Sequence, residues 1–199
     1  FENSFHGRTL AALTMTGQAK YQEGFQPLPA GFKTVPFNDI AAVKKAVSDK
    51  TAGIILELIQ GEGGINLAAN DFVLALRKIC DEKKILLIVD EVQTGIGRTG
   101  KMFAYEHYGI IPDIITLAKA LGGGLPIGAM IAKKEIADTL TAGKHASTFG
   151  GSPLICKASL AVFKAIHKEK LLKNTVEMGG YLKEKLSALA KKYAIIKEI

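Results

Sequence analysis

The sequence predicts an α/β fold built on a mainly parallel sheet, and three observations carry that reading. The run Ile85–Val89 is entirely apolar and passes straight into Asp90 and Glu91, the pattern of a parallel strand buried on both faces. A second short run, Asp113–Ala118, ends in Lys119 and is followed by Gly122, Gly123 and Gly124. Upstream, Thr51–Ile59 and Asp71–Lys83 read as strand then helix, so the order is β-α-β, the alternation of a parallel sheet with crossover connections. Ligands of such sheets bind beyond the C-terminal strand ends. Two adjacent strands ending in Asp90 and Lys119 put an acid and an amine on that rim.

The other elements follow from local chemistry. Phe1–Thr16 opens with turn residues and continues as an apolar and hydroxyl mixture, a strand-like segment or a short helix. Gly17–Pro36, rich in Gly, Pro and aromatics, reads as a long surface loop. Asn38 or Asp39 caps a helix over Ile40–Ser48, with Ile40, Val43 and Val47 on one face. Gln60–Gly64 is a glycine-dense loop. Asp71 caps the helix through Lys83, which turns Phe72, Leu76 and Ile79 inward. Gly95–Lys101 is a second glycine-rich loop, and Met102–Tyr108 a short aromatic helix or turn. Ile127–Ala132 is a further strand, and Gly143–Gly151 a polar loop. Ser152-Pro153 opens a long helix to about His167, with Pro at the first position, where its missing N–H costs nothing. Leu171–Lys192 is amphipathic and lysine-rich. The sequence has no internal repeat and no low-complexity segment.

Composition narrows the class. The chain of 199 residues is 48% hydrophobic and 23% charged, ordinary for a globular domain. The net charge of +7 comes largely from lysines at Lys164–Lys197, on a stretch that reads as helix. No basic stripe is interleaved with aromatics, so nucleic acid is not the expected partner. Cys80 and Cys156 lack CxxC spacing and sit in apolar helical patterns, which fits reduced thiols in a cytosolic protein. The four histidines are scattered, so no metal cluster is expected. No apolar stretch has the length of a membrane span. The first residues lack the basic and apolar regions of a signal peptide. With no initiator Met and an abrupt end, the chain is expected to be a piece of a longer protein.

Two chemistries compete for the strand-end acid. Ile85–Glu91 resembles a Walker B strand, and Gly95–Lys101 matches G-x-x-x-x-G-K. A phosphate-binding loop needs Ser or Thr after the Lys to hold Mg²⁺, and here that residue is Met102. It must also follow its own strand and open a helix, whereas here both motifs hang from one strand. A P-loop NTPase is therefore the disfavoured alternative. Lys119 lies between an apolar strand and the apolar Ala118, Ala120 and Leu121, so its amine is expected to be desolvated and nucleophilic. An amine of that kind beside a strand-end acid, without metal ligands, points to Schiff-base chemistry with pyridoxal 5′-phosphate (PLP). There the acid keeps the pyridinium nitrogen protonated.

The strings NSFHGRT, YQEGF, PFND, IQGEGG, LLIVDEVQTGIGRTGK, FAYEHYGIIPDIITLAKALGGGLPIGAM and STFGG, in this order and spacing, resemble the class III, fold-type I PLP-dependent aminotransferases over nearly the whole chain, weakening after about Phe163. The resemblance implies that residues 1–151 belong to the PLP-binding large domain, and that 152–199 form a long linking helix and the start of a small domain. It implies that Lys119 carries PLP covalently and shuttles the reacting proton. Asp90 pairs with the ring nitrogen, Gln93 bonds the ring hydroxyl, and Phe5 stacks on the ring. Arg8 clamps the substrate α-carboxylate. Glu62 is a gate carboxylate, and Glu57 a structural or site-lining acid. Thr148, with Ser147 beside it, reaches the phosphate in a neighbouring subunit, which makes the site a property of a homodimer.

The implied donor is N2-acetylornithine and the acceptor 2-oxoglutarate, in arginine biosynthesis. Succinyl-diaminopimelate, ornithine and 4-aminobutyrate are alternative ω-amino donors. Two departures from the family pattern, Leu58 for Pro and Ser152 for Asn, lie beside functional positions rather than at them. The family's Gly-Thr phosphate loop and C-terminal substrate Arg are not in this stretch. Alone, it is expected to be inactive or nearly so. A catalytically silent homologue is the remaining alternative, and the presence of Lys119, Asp90 and Gln93 argues against it.

Overall fold

The computed structural model describes residues 1–196 and 198–199. Its centre is a four-stranded sheet of β1 (Gly53–Leu56), β4 (Leu86–Asp90), β5 (Ile114–Leu117) and β6 (Ala129–Ala132), in that order. β1, β4 and β5 are parallel, with Leu56 opposite Val89 and Asp90 opposite Thr116. β6 runs antiparallel to β5, Met130 opposite Thr116. The sheet is thus mainly parallel, and β4 and β5 are neighbours whose C-terminal ends share one rim.

The strand read as Thr51–Ile59 stops at Leu56. The chain then breaks, and β2 (Ile59–Gln60) pairs antiparallel with β3 (Asn66–Leu67) around the Gly61–Gly64 turn. That turn packs under the N-terminal segment: a Cβ on Gly63 would lie 2.1 Å from the Asn3 carbonyl oxygen, so only glycine fits. β1 and β4 are joined through α4 (Asn70–Lys83), but no α-helix links β4 to β5. Turns and a 3₁₀ segment, Ala104–His107, make that connection.

α4 covers one face of the sheet. Phe72, Leu76 and Ile79 are buried as its periodicity predicts, with Val73 and Cys80 beside them. They pack against Leu56, Leu87 and Val89. Its cap differs from expectation. The N-cap is Ala69, whose N–H donates to Asn38 Oδ1 at 2.9 Å. Asp71 falls in the first turn, and its Oδ1 accepts from the neighbouring Phe72 N–H. The preceding helix α3 (Ile40–Ala46) is capped by Asp39, whose Oδ1 accepts from Ala42 N–H at 2.9 Å.

The N-terminal segment holds two short helices, α1 (Leu10–Met15) and α2 (Ala19–Gln22), the second inside the stretch read as loop. α5 (Lys134–Ala137) follows β6. α6 (Pro153–Lys168) begins with Pro as expected, and α7 (Leu171–Ala190) follows it. The lysine-rich stretch is helical to Ala190, and Lys197 lies outside the described residues. α7 packs on the Gly95–Lys101 loop. A Cβ on Gly100, where φ is +87°, would come within 2.6 Å of Val176 Cγ2. That loop opens no helix of the kind a P-loop requires. Among the described residues no helix is long and apolar enough to cross a membrane.

Asp113 ties these layers together. Its carboxylate accepts from Leu87 N–H at 2.8 Å, from Arg77 of α4 at 2.9 Å and from Lys133 after β6 at 2.7 Å. Burial alone would raise its pKa, but these three donors hold it below the ordinary value of 3.8. Cys80 is a free thiol pushed up to about 11 by burial, which makes it unreactive.

Candidate active site

β4 and β5 are short apolar strands, and each ends where its backbone leaves the sheet. The sheet therefore delivers Asp90 and Lys119 to one edge. Asp90 is buried, at 6% exposure. Its Oδ1 accepts from Val92 N–H at 3.0 Å and from the Thr116 hydroxyl at 3.1 Å. Its Oδ2 lies 2.7 Å from Nδ1 of His6, whose side chain is also buried. A carboxylate accepts about four hydrogen bonds. Three are made here, so one acceptor position remains.

Lys119 opens a 3₁₀ turn, Lys119–Gly122, with φ of 43°, an unusual left-handed value for a residue with a side chain. Its Nζ donates to Gln93 Oε1 at 2.7 Å. Lys119 is exposed, contrary to the expected desolvation. Leu121, two residues on, is buried in the core, whereas Lys119 stays at the surface of the rim. Strained backbone of this kind concentrates at functional sites.

A second cluster lies on the N-terminal segment. Phe5 is half-buried and meets Tyr21 edge-on, with ring centroids 5.4 Å apart. The Arg8 guanidinium sits over both rings, its Cζ 4.5 Å from the Tyr21 centroid and 5.7 Å from that of Phe5. The Tyr21 hydroxyl donates to Glu62 Oε1. Glu57 joins the two clusters. Its Oε2 accepts from Phe5 N–H at 2.9 Å, and His6 N–H is held by Thr16 Oγ1 at 2.9 Å. Burial raises the Glu57 pKa above its ordinary 4.5, against the pull of the Phe5 hydrogen bond and His6.

The sequence-predicted residues thus fall into three places. Asp90, Gln93 and Lys119 come together at the strand ends. Phe5, Arg8 and Glu62 gather around Tyr21, with Glu57 between the groups. Ser147 and Thr148 stand apart on an exposed loop, and neither makes a side-chain hydrogen bond among the described residues. That loop lines an open cavity of about 340 Å³ with Pro126, Ile127 and His145. His6, Thr116 and Tyr21 were missed from sequence. His6 lies in the HGR string already singled out, but its partner is 84 positions away.

The residues fit PLP by their chemistry. A buried carboxylate keeps one acceptor position for a ring nitrogen, an exposed amine just past the neighbouring strand, held by Gln93, can condense with a carbonyl, and an aromatic ring stands on the N-terminal segment. No group of His, Cys, Asp and Glu that could hold a metal ion is found among the described residues.

The chain matches the family model of class-III aminotransferases over residues 1–199. It is 58% identical to an acetylornithine aminotransferase of Methanocaldococcus jannaschii over 199 residues, 99% of this chain and 50% of the relative. It is 47% identical to an acetylornithine/succinyldiaminopimelate aminotransferase of Yersinia pestis, across 100% of this chain and 49% of that protein. Among solved structures, the ornithine aminotransferase of Toxoplasma gondii ME49 superimposes with a TM-score of 0.88 at 34% identity, covering 92% of this chain and 44% of that one. A thermostable (S)-enantioselective omega-transaminase from Thermomicrobium roseum gives 0.86 at 32%, covering 96% and 48%. The chain spans about half the length of the curated relatives it matches.

Proposed function

This chain belongs to the class III aminotransferases, and from that premise we propose that it forms the catalytic half of a PLP-dependent enzyme that moves the terminal amine of N2-acetylornithine to 2-oxoglutarate. The observation that carries the proposal is the meeting of Asp90, Gln93 and Lys119 at the ends of two adjacent parallel strands. The choice of donor rests on the similarity to acetylornithine aminotransferases. The relative from Yersinia pestis, whose name includes succinyldiaminopimelate, keeps that second donor in view.

When bound, PLP supplies a carbonyl for the amine and an electron sink for the carbon that loses its proton. The chain's own residues do the rest. The Lys119 amine is exposed to an incoming partner and oriented by Gln93, so it can attach PLP and then carry a proton as general base and acid. Asp90, fixed by His6, Val92 and Thr116, presents a negative charge to the ring nitrogen and keeps it protonated. Gln93 offers its amide to the ring hydroxyl, and Phe5 a face to the ring. Arg8 binds the substrate carboxylate through paired N–H groups. Glu62 acts as the gate acid, and Glu57 lines the site.

Residues 1–151 belong to the large domain in this reading, and 152–199 lead into a second, smaller one. Ser147 and Thr148, on an exposed loop, serve the phosphate of a neighbouring subunit. The working unit is then a homodimer.

The test is chemical. A family-length protein carrying this chain is loaded with PLP, reduced with borohydride and digested. A pyridoxyl group on Lys119, together with transamination of N2-acetylornithine, is the expected result. A label on another lysine, or none, would overturn the assignment and favour a silent homologue.

A further inference from the structure

Asp90 and Gln93 stand three residues apart on one turn, and the buried residue between them is Glu91. Its exposure is 1%, and among the described residues no ion pair joins it. A buried carboxylate without a cation is costly unless hydrogen bonds satisfy it. Two donors do so. The Thr94 hydroxyl donates to Oε2 at 2.5 Å, and Tyr105 N–H, from the 3₁₀ segment, donates to Oε1 at 2.9 Å. The backbone of Glu91 closes the same turn. Its N–H donates to the Thr116 carbonyl of β5 at 3.0 Å, and its carbonyl accepts from Gly95 N–H at 2.9 Å. A Cβ on Gly95 would lie 2.8 Å from that carbonyl oxygen, so the closure is tight. Gln93 is braced from outside as well: a Cβ on Gly61, in the turn between β2 and β3, would lie 3.1 Å from its Cγ. Held in this way, Gln93 Oε1 meets Lys119 Nζ at 2.7 Å.

We propose that Glu91 is a positioning residue: its buried carboxylate fixes the turn that carries Gln93, and through Gln93 it directs the Lys119 amine. The inference rests on the functional reading above, in which Lys119 carries PLP and Gln93 bonds the ring hydroxyl. Without the Glu91 side chain, the Thr94 hydroxyl and the Tyr105 N–H lose their acceptor, and the turn loses its anchor. Gln93 then no longer keeps its amide at one place against the ring hydroxyl. An N–H donated to that oxygen stabilises its anion, which lowers the proton affinity of the nitrogen joining Lys119 to the cofactor. Losing the bond raises the pH at which that nitrogen gives up its proton. Removing the charge of Glu91 would by itself act in the opposite sense, because a nearby anion favours the protonated cation. The direction of the shift therefore separates positioning from charge.

The experiment uses the PLP-loaded, family-length enzyme and reads the pH midpoint of its visible absorption band. Glu91→Ala should raise that midpoint by about 0.5–1 unit, the size of one hydrogen bond's contribution, as Gln93→Ala does. In the Gln93→Ala background, Glu91→Ala should leave the midpoint where it is. Glu91→Gln removes the charge yet can still accept from Tyr105 N–H and donate to the Thr94 oxygen, so it should stay close to wild type. Thr94→Val and Thr94→Ser are a milder pair that does not depend on Glu91→Ala folding. The first removes the donor and should raise the midpoint, and the second keeps it and should not. The dissociation constant of PLP from the apoenzyme, by absorbance titration, should rise about fivefold in the variants that raise the midpoint. A midpoint unmoved or lowered by Glu91→Ala, or an equal shift in the Gln93→Ala background, overturns this inference alone. So does a Thr94→Val variant that matches Thr94→Ser. A wild type whose PLP is not on Lys119 removes the functional reading, and this inference with it.

Discussion

His6 Nδ1 lies 2.7 Å from Asp90 Oδ2, across 84 residues of sequence. This contact fastens the N-terminal segment to the end of β4. It also couples the two halves of the candidate site, because the same backbone stretch presents Phe5 and, through Tyr21, Arg8 and Glu62. The His6 ring has a second feature: its Nε2 is buried with no hydrogen-bond partner among the described residues.

These two features act in opposite directions on stability, and a pair of substitutions separates them. His6→Leu removes both the bond to Asp90 and the unpaired nitrogen. His6→Asn, smaller than Leu, keeps a donor close to the Nδ1 position, but its amide also brings an oxygen into the buried site. The Asn variant should therefore be the more stable, by less than the about 2 kcal/mol that a hydrogen bond to a charged group is worth, because its oxygen is buried as well. Urea unfolding of the family-length protein measures the difference. An Asn variant no more stable than the Leu variant would contradict this prediction.

Asp113 predicts an acid-sensitive step. Its folded-state pKa lies below the ordinary 3.8, held there by Leu87 N–H, Lys133 and Arg77 despite burial. The stability it contributes is therefore present above pH 3.8, and it is lost as pH falls through the folded value. Asp113→Asn should cost about 3 kcal/mol at neutral pH, because it leaves Arg77 and Lys133 without their shared partner. It should also flatten the acid limb of the stability curve. Chemical unfolding at a series of pH values reads both effects, and an Asn variant that keeps the wild-type acid limb would contradict the assignment.

The strand-end pair was legible in sequence because each apolar run stopped at a charged or polar residue, and the chain has few such runs. The α4 core face was legible for a similar reason: Phe72, Leu76 and Ile79 follow the helical period. What escaped was set by contacts remote in sequence. Nothing near His6 marks Asp90 as its partner. Asp113 looked like the first residue of a strand, whereas it accepts from α4, β4 and the residue after β6. The four residues of β6 carry no signal of direction, so its antiparallel pairing with β5 could not be read. The burial expected for Lys119 failed because apolar neighbours in sequence do not set where a side chain ends: Lys119 is exposed, with its amine on Gln93, a residue 26 positions away.

Glu57 should respond to pH in the opposite sense to Asp113. Burial raises its folded-state pKa above the ordinary 4.5, so the protonated form is the one the fold favours. Its contribution is fully present below pH 4.5 and is lost as pH rises through the folded value. Glu57→Gln fixes a neutral side chain of the same shape that can still accept from Phe5 N–H. Relative to wild type, the variant should gain stability as pH rises through that window and hold the gain above it. At pH below 4.5 the two should unfold at similar denaturant concentrations. The comparison also separates charge from geometry. If the Phe5 hydrogen bond required a carboxylate, the Gln variant would be the weaker at every pH above 4.5, and the raised pKa would not be the dominant effect at this position.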